Sequence, residues 1–194
     1  MSVGMNTAQQ APIAAKTRIG VEDSLAIDLF STDLYTRLRA YDINYSEEVV
    51  IVCIGTDRST GDCLGPLVGS KLASSPGHRF IVYGTLDDPV HASNLNHKLD
   101  EIALKHPRAL IIAVDACLGH LENVGFVNIG DGSLLPGAGV NKSLPAVGQL
   151  HITGVVNVGG FMEYLVLQNT RLNLVMKLAN LITEGLIKTA QRFA

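Results

Sequence analysis

The chain is poor in the features that mark several protein classes. Its three cysteines, Cys53, Cys63 and Cys117, are an odd number with no C-x-x-C pair, which argues against a disulfide framework and against a structural zinc site. A reducing cytosol is the compartment this usage suggests. No Lys/Arg run of about five or more occurs, and no apolar run approaches the roughly 18 residues of a membrane span. The first twenty residues lack a positively charged start leading into an apolar stretch, so no secretory signal is expected. Nucleic-acid and membrane partners are therefore not expected, because phosphate neutralisation needs a concentrated basic face. No internal repeat or low-complexity tract is present.

What is there suits a globular domain. Fifteen Lys+Arg against eighteen Asp+Glu give a net charge of −3, and 47% of residues are hydrophobic, enough to fill a core without strong self-repulsion. At 194 residues the chain is expected to form one domain over 21–194, with its core in 48–190, preceded by a loose arm over 1–20 that is small and polar. Leu25, Ile27, Leu29, Phe30, Leu34 and Leu38 recur at helical steps and predict a leading helix over 22–41. The β-branched runs 49–54, 80–83 and 109–114 predict strands covered on both faces, and the segments 64–74 and 91–106 between them predict helices. Alternation of this kind points to a mostly parallel sheet with right-handed crossovers. Shorter strands over 125–129 and 150–156 flank a Gly/Pro-rich loop, and helices are expected from residue 159 and over 171–192. Surplus apolar surface on the first and last helices suggests a homo-oligomer.

In an open parallel sheet, ligands bind beyond the carboxyl ends of the strands. The loop after the first strand, Gly55-Thr56-Asp57-Arg58-Ser59-Thr60-Gly61-Asp62-Cys63, carries two carboxylates, and Asp115 stands where the third apolar run ends. If the two strands are neighbours, Asp62 and Asp115 share a cleft. Two carboxylates in one partly desolvated site drive their pKa values apart, leaving one as base and one as acid, or else they hold a divalent metal. The plainer alternatives are helix capping by Asp62 and loop-amide satisfaction by Asp115. A phosphate-binding loop is not expected: the Gly55 to Gly61 spacing is one residue too long and Asp62 stands where lysine would be needed. The loop after the second strand offers His91 and Asn94 to the same cleft, and His151 is a further possible ligand. Neighbouring carboxylates oppose a thiolate at Cys63 or Cys117, so small buried thiols are the better reading.

Several blocks then match a known group. Thr60-Gly61-Asp62-Cys63-Leu64-Gly65-Pro66 resembles the T-P-D-A-L-G-P segment of the germination protease of bacterial spores. Ile111-Ile112-Ala113-Val114-Asp115-Ala116 resembles its second aspartate motif, and Pro136-Gly137-Ala138-Gly139-Val140-Asn141 its P-G-S-G-V-G-N loop. With Gly154-Val155-Val156-Asn157 and Leu167-Gln168-Asn169-Thr170-Arg171-Leu172, the stretch 48–188 is similar to the YyaC-type sporulation proteins. The resemblance implies a phosphorylase/hydrolase-like three-layer α/β/α sandwich, shared with the hydrogenase maturation endopeptidases. It also implies a cytoplasmic role in spore formation, in mother cell or forespore, and hydrolysis of a peptide or protein substrate with no cofactor required. The two aspartates needed for cleavage by the germination protease fall on Asp62 and Asp115, with Asp57, Gly61, Cys63, His91 and Asn94 as expected substrate-binding neighbours. Gly61 replaces that family's proline, and cysteines sit beside both motifs.

Overall fold

The computed structural model describes residues 16–43, 47–137 and 144–193. Most of the expected arm, residues 1–15, and the 138–141 part of the Gly/Pro-rich motif lie outside them. Six strands form one sheet in the order β1-β5-β6-β4-β2-β3. They are β1 Lys16–Gly20, β2 Val49–Cys53, β3 Ile81–Tyr83, β4 Leu110–Gly119, β5 Phe126–Asp131 and β6 Leu150–Val158. β3, β2, β4 and β6 pair in parallel, and β5 and β1 close one edge in antiparallel fashion. The expected mixed α/β architecture with a mostly parallel sheet is present.

Among the described residues five helices flank the sheet: α1 Ala26–Ala40, α2 Leu64–Ala73, α3 Leu95–Lys105, α4 Glu163–Gln168 and α5 Leu172–Gln191. Continuous apolar strands are required here because both faces are buried. On one face Ile51, Ile112, Val114 and Ile152 pack with Phe30 and Leu34 of α1, Leu64 and Val68 of α2, and Leu178 and Ile182 of α5. On the other, Val50, Val52 and Ala113 pack with Leu95 and Ile102 of α3. Each fully buried side chain of this kind contributes about 1.5–3 kcal/mol.

Helices start about four residues later than the sequence reading has them at α1, α3 and α4, and two further differences shape the sheet. Lys16–Gly20, assigned to the loose arm, is a strand: its register with β5, Lys16 against Gly130 through Gly20 against Phe126, satisfies the backbone of an otherwise open edge. β4 does not stop at Val114 but runs on to Gly119, since β6 continues to pair with it beyond the point where β2 leaves. Asp115 is therefore inside a strand.

Candidate active site

The turn after β2 is built around a backbone crossing that only glycine permits. Gly55 has φ +141°, and a Cβ there would lie 2.0 Å from the carbonyl oxygen of Asp62. Its N–H donates to the Val90 carbonyl at 2.8 Å, and the Thr56 N–H donates to the Asp62 carbonyl at 3.1 Å. The loop thus leaves β2, folds back on itself and delivers Asp62 at a 3-10 turn, Gly61–Cys63, that leads into α2. Gly61 carries no Cβ because Leu167 and Thr170 occupy that space, each with an atom 2.8 Å from where it would be. The segment around α4 consequently closes directly over the turn.

Asp115 is delivered differently. β2 pairs with β4 only as far as Cys53 against Val114, so Asp115 is the first residue of β4 past that ladder, opposite Thr153 of β6. Alternation along β4 puts it on the Ala113 side, toward the face that α3 covers. It is 8% exposed. Burial, then the charge of Asp62, push its carboxyl well above the usual range, and the Ala116 N–H, donating to Oδ1 at 2.8 Å, only partly opposes this. A carboxyl of this kind holds its proton where an exposed aspartate would have lost it.

Asp62 and Asp115 line one cavity of about 250 Å³, together with Cys117, Leu134, Thr153 and Glu163. Asp62 also borders a second cavity of about 450 Å³, lined by Thr56, Arg58, Ser59, His91 and Tyr164. The expected convergence of the two aspartates is thus realised, with Asp62 at the junction. Asp62 is not the N-cap of α2, a position held by Cys63.

Of the other expected site residues, only His91 reaches these cavities, its Nδ1 2.9 Å from the Ser93 hydroxyl. Asn94 is a brace for the loop, its Oδ1 accepting the His91 N–H at 2.8 Å while Nδ2 donates to the Pro89 carbonyl at 2.9 Å. Asp57 is exposed on the outer side of its loop and lines neither cavity. Gly61 is consumed by packing against Leu167, and the Cys63 thiol donates to the Thr60 carbonyl at 2.9 Å within the core. Burial raises the pKa of all three thiols, which opposes thiolate chemistry. His151 bonds the Gly132 carbonyl near the start of β6, away from the cavities. Among the described residues no three His, Cys, Asp or Glu side chains gather as a metal-binding group. The amides of Asp62 and Cys63 donate to the Ser59 and Thr60 carbonyls at 3.0 and 3.5 Å, which holds the turn that carries Asp62.

The sequence reading missed Glu163, Arg58 and Ser59. Glu163 follows β6 closely, behind Gly159 and Gly160, so the strand-end rule that found Asp62 applied to it as well. Arg58 and Ser59 sit in the loop already singled out, but nothing in their spacing distinguishes them from solvated turn residues.

Comparison with known proteins agrees with the extent of the domain. Residues 18–185 match the family model described as a protein of unknown function, DUF1256. The chain is 56% identical over 174 residues to the uncharacterized protein YyaC of Bacillus subtilis (strain 168), covering 90% of this chain and 83% of that one. With the match spanning β1 through most of α5, the chain belongs to the DUF1256 family.

Proposed function

We propose that the protein is a peptide hydrolase of spore-forming cells, using Asp62 as base and Asp115 as acid. The observation that carries this reading is the shared cavity in which the Asp115 carboxyl is desolvated and its pKa raised, by burial first and by the charge of Asp62 second. Environments that separate two carboxyls in this way allow acid and base roles at one pH. In the proposed step Asp62 takes a proton from water while the water oxygen bonds to the peptide carbonyl carbon. Asp115 gives its proton to the departing nitrogen as the C–N bond breaks, and the proton on Asp62 returns through solvent to reset the pair. The step uses the two carboxyls and water alone.

Purified Asp62→Asn and Asp115→Asn are each expected to lose peptide cleavage by about 100-fold or more. Undiminished turnover in both would remove the mechanism. The sporulation setting is supported by the motif resemblance around Asp62 and Asp115, and production of the protein only in growing, non-sporulating cells would count against it.

A second reading, a non-catalytic binding protein of sporulation on the same fold, is favoured by one observation. Phe161, Met162, Tyr164 and Leu165 are 80, 57, 65 and 43% exposed, a run of apolar side chains beside the cavity. Self-association through the first and last helices has Leu25, Leu29 and Leu172 to draw on, 59, 46 and 54% exposed, beside this segment. Full biological function in an Asp62→Asn/Asp115→Asn double variant would favour this second reading over the hydrolase.

A further inference from the structure

Glu163 opens α4 and lines the same small cavity as Asp62 and Asp115. Its Oε1 accepts the Gly160 N–H at 3.0 Å, which fixes the carboxylate against the turn after β6. Its Oε2 is shielded from solvent and has no hydrogen-bond partner among the described residues. A second acidic group, Asp115, faces the same cavity, 8% exposed and with the Ala116 N–H donating to its Oδ1. A carboxylate oxygen withdrawn from water needs a donor, and among the described residues the Glu163 Oε2 has none.

The rest of that space narrows the class of donor. Leu118, Leu134, Leu135 and Leu167 supply apolar walls, and no Lys, Arg or His lines the cavity among the described residues. Arg58 and His91 belong to the larger cavity on the other side of Asp62. Aliphatic walls ending at a carboxylate suit a long cationic side chain, whose methylene stem lies along the leucines while its ammonium group donates to the acid.

We infer that Glu163 is a specificity-determining residue of this site, selecting peptides that carry a lysine side chain next to the bond presented to Asp62 and Asp115. The inference rests on the peptidase reading for the position of that bond, but not for the binding itself.

Isothermal titration of the full chain with acetyl-Ala-Ala-Lys-Ala-Ala-amide and its norleucine counterpart separates the two. The lysine peptide is expected to bind about 10-fold more tightly than the norleucine peptide, the scale of one desolvated charge pair. In Glu163→Gln, which keeps the size of the side chain and the bond from Gly160, the ratio falls to about 1 while norleucine binding is unchanged. Glu163→Asp, which withdraws the carboxylate by one methylene, gives an intermediate ratio and covers the case of an unstable glutamine variant. Equal affinities in the wild type, no measurable lysine binding, or a preference that survives Glu163→Gln would each overturn the inference. Cleavage of both peptides without preference would sink the subsite and leave the hydrolase standing. Selective binding without cleavage of any peptide would do the reverse.

Discussion

At the scale of single residues, the chemistry turns on how Asp115 is desolvated. Burial is the larger cause of its raised pKa and the charge of Asp62 the second, so removing that charge should relax it only in part. In Asp62→Asn the Asp115 carboxyl is expected to titrate at lower pH than in the wild type, yet still above the 3.8 of an exposed aspartate. Carbon-13 NMR of the side-chain carboxyl measures this, and an unchanged midpoint would mean that the two groups do not sense each other. Gly55 is a second residue on which the site depends. Alanine there would place its Cβ 2.0 Å from the Asp62 carbonyl, so the loop must move and carry Asp62 with it. Gly55→Ala is expected to cost about 2–4 kcal/mol in urea unfolding, through strain at a special backbone position.

At the scale of elements, α1 is tied to the sheet by one cation. Arg37 is fully buried and donates from Nε to Asp33 at 2.7 Å and from Nη1 to Asp131, at the end of β5, at 2.6 Å. Because Asp33 and Asp131 retain some access to water, losing the arginine strands them less than a wholly buried pair would be. Arg37→Ala is expected to lower stability by about 2–3 kcal/mol while leaving the cavity residues in place. Denaturant titration beside a cleavage assay checks both halves. The helical periodicity of α1 was visible in the sequence, as was Arg37 in its last turn, where a cation suits the helix dipole. Its burial between a helix and a strand 94 positions away was not, because a charge is sequestered only where folding brings opposite charges to it. β1 was missed for a related reason. Five residues of mixed polarity, KTRIG, have no strand period of their own and become a strand by completing the open edge of β5.

At the scale of the whole molecule, the site should make the fold more stable in acid than at neutral pH as far as Asp115 is concerned. The folded chain keeps that proton to a higher pH than the unfolded chain does. Its contribution is therefore complete below the unfolded value of 3.8 and is lost as the pH rises through the higher folded value. Asp115→Asn has no charge to bury and should escape this loss. The variant is expected to exceed the wild type in stability at neutral pH by on the order of 1–3 kcal/mol, with the difference shrinking toward pH 4. Urea unfolding across pH 4 to 8 measures it. A variant that is less stable at every pH would mean that the carboxyl is well solvated or paired. Gain of stability with loss of cleavage is the trade expected of a residue kept for its chemistry.

The amino-acid sequence by itself determined the layered α/β architecture, because uninterrupted β-branched runs separated by helical periods allow few other ways to bury their apolar faces. It also put Asp62 and Asp115 near the strand ends where such sheets bind ligands, while the pairing of β2 with β4 that brings them together belongs to the sheet order. The tertiary structure alone decided which residues join them. Gly61 and Cys63 flank Asp62 in sequence and Asn94 stands just before α3, yet the Asn94 amide bonds Pro89, the Cys63 thiol bonds Thr60, and the space of a Gly61 Cβ is filled by Leu167. Glu163 comes from 48 positions beyond Asp115 and faces the same cavity. Proximity along the chain specifies local hydrogen bonds and turns, whereas a cavity wall is specified by which elements the sheet order sets side by side.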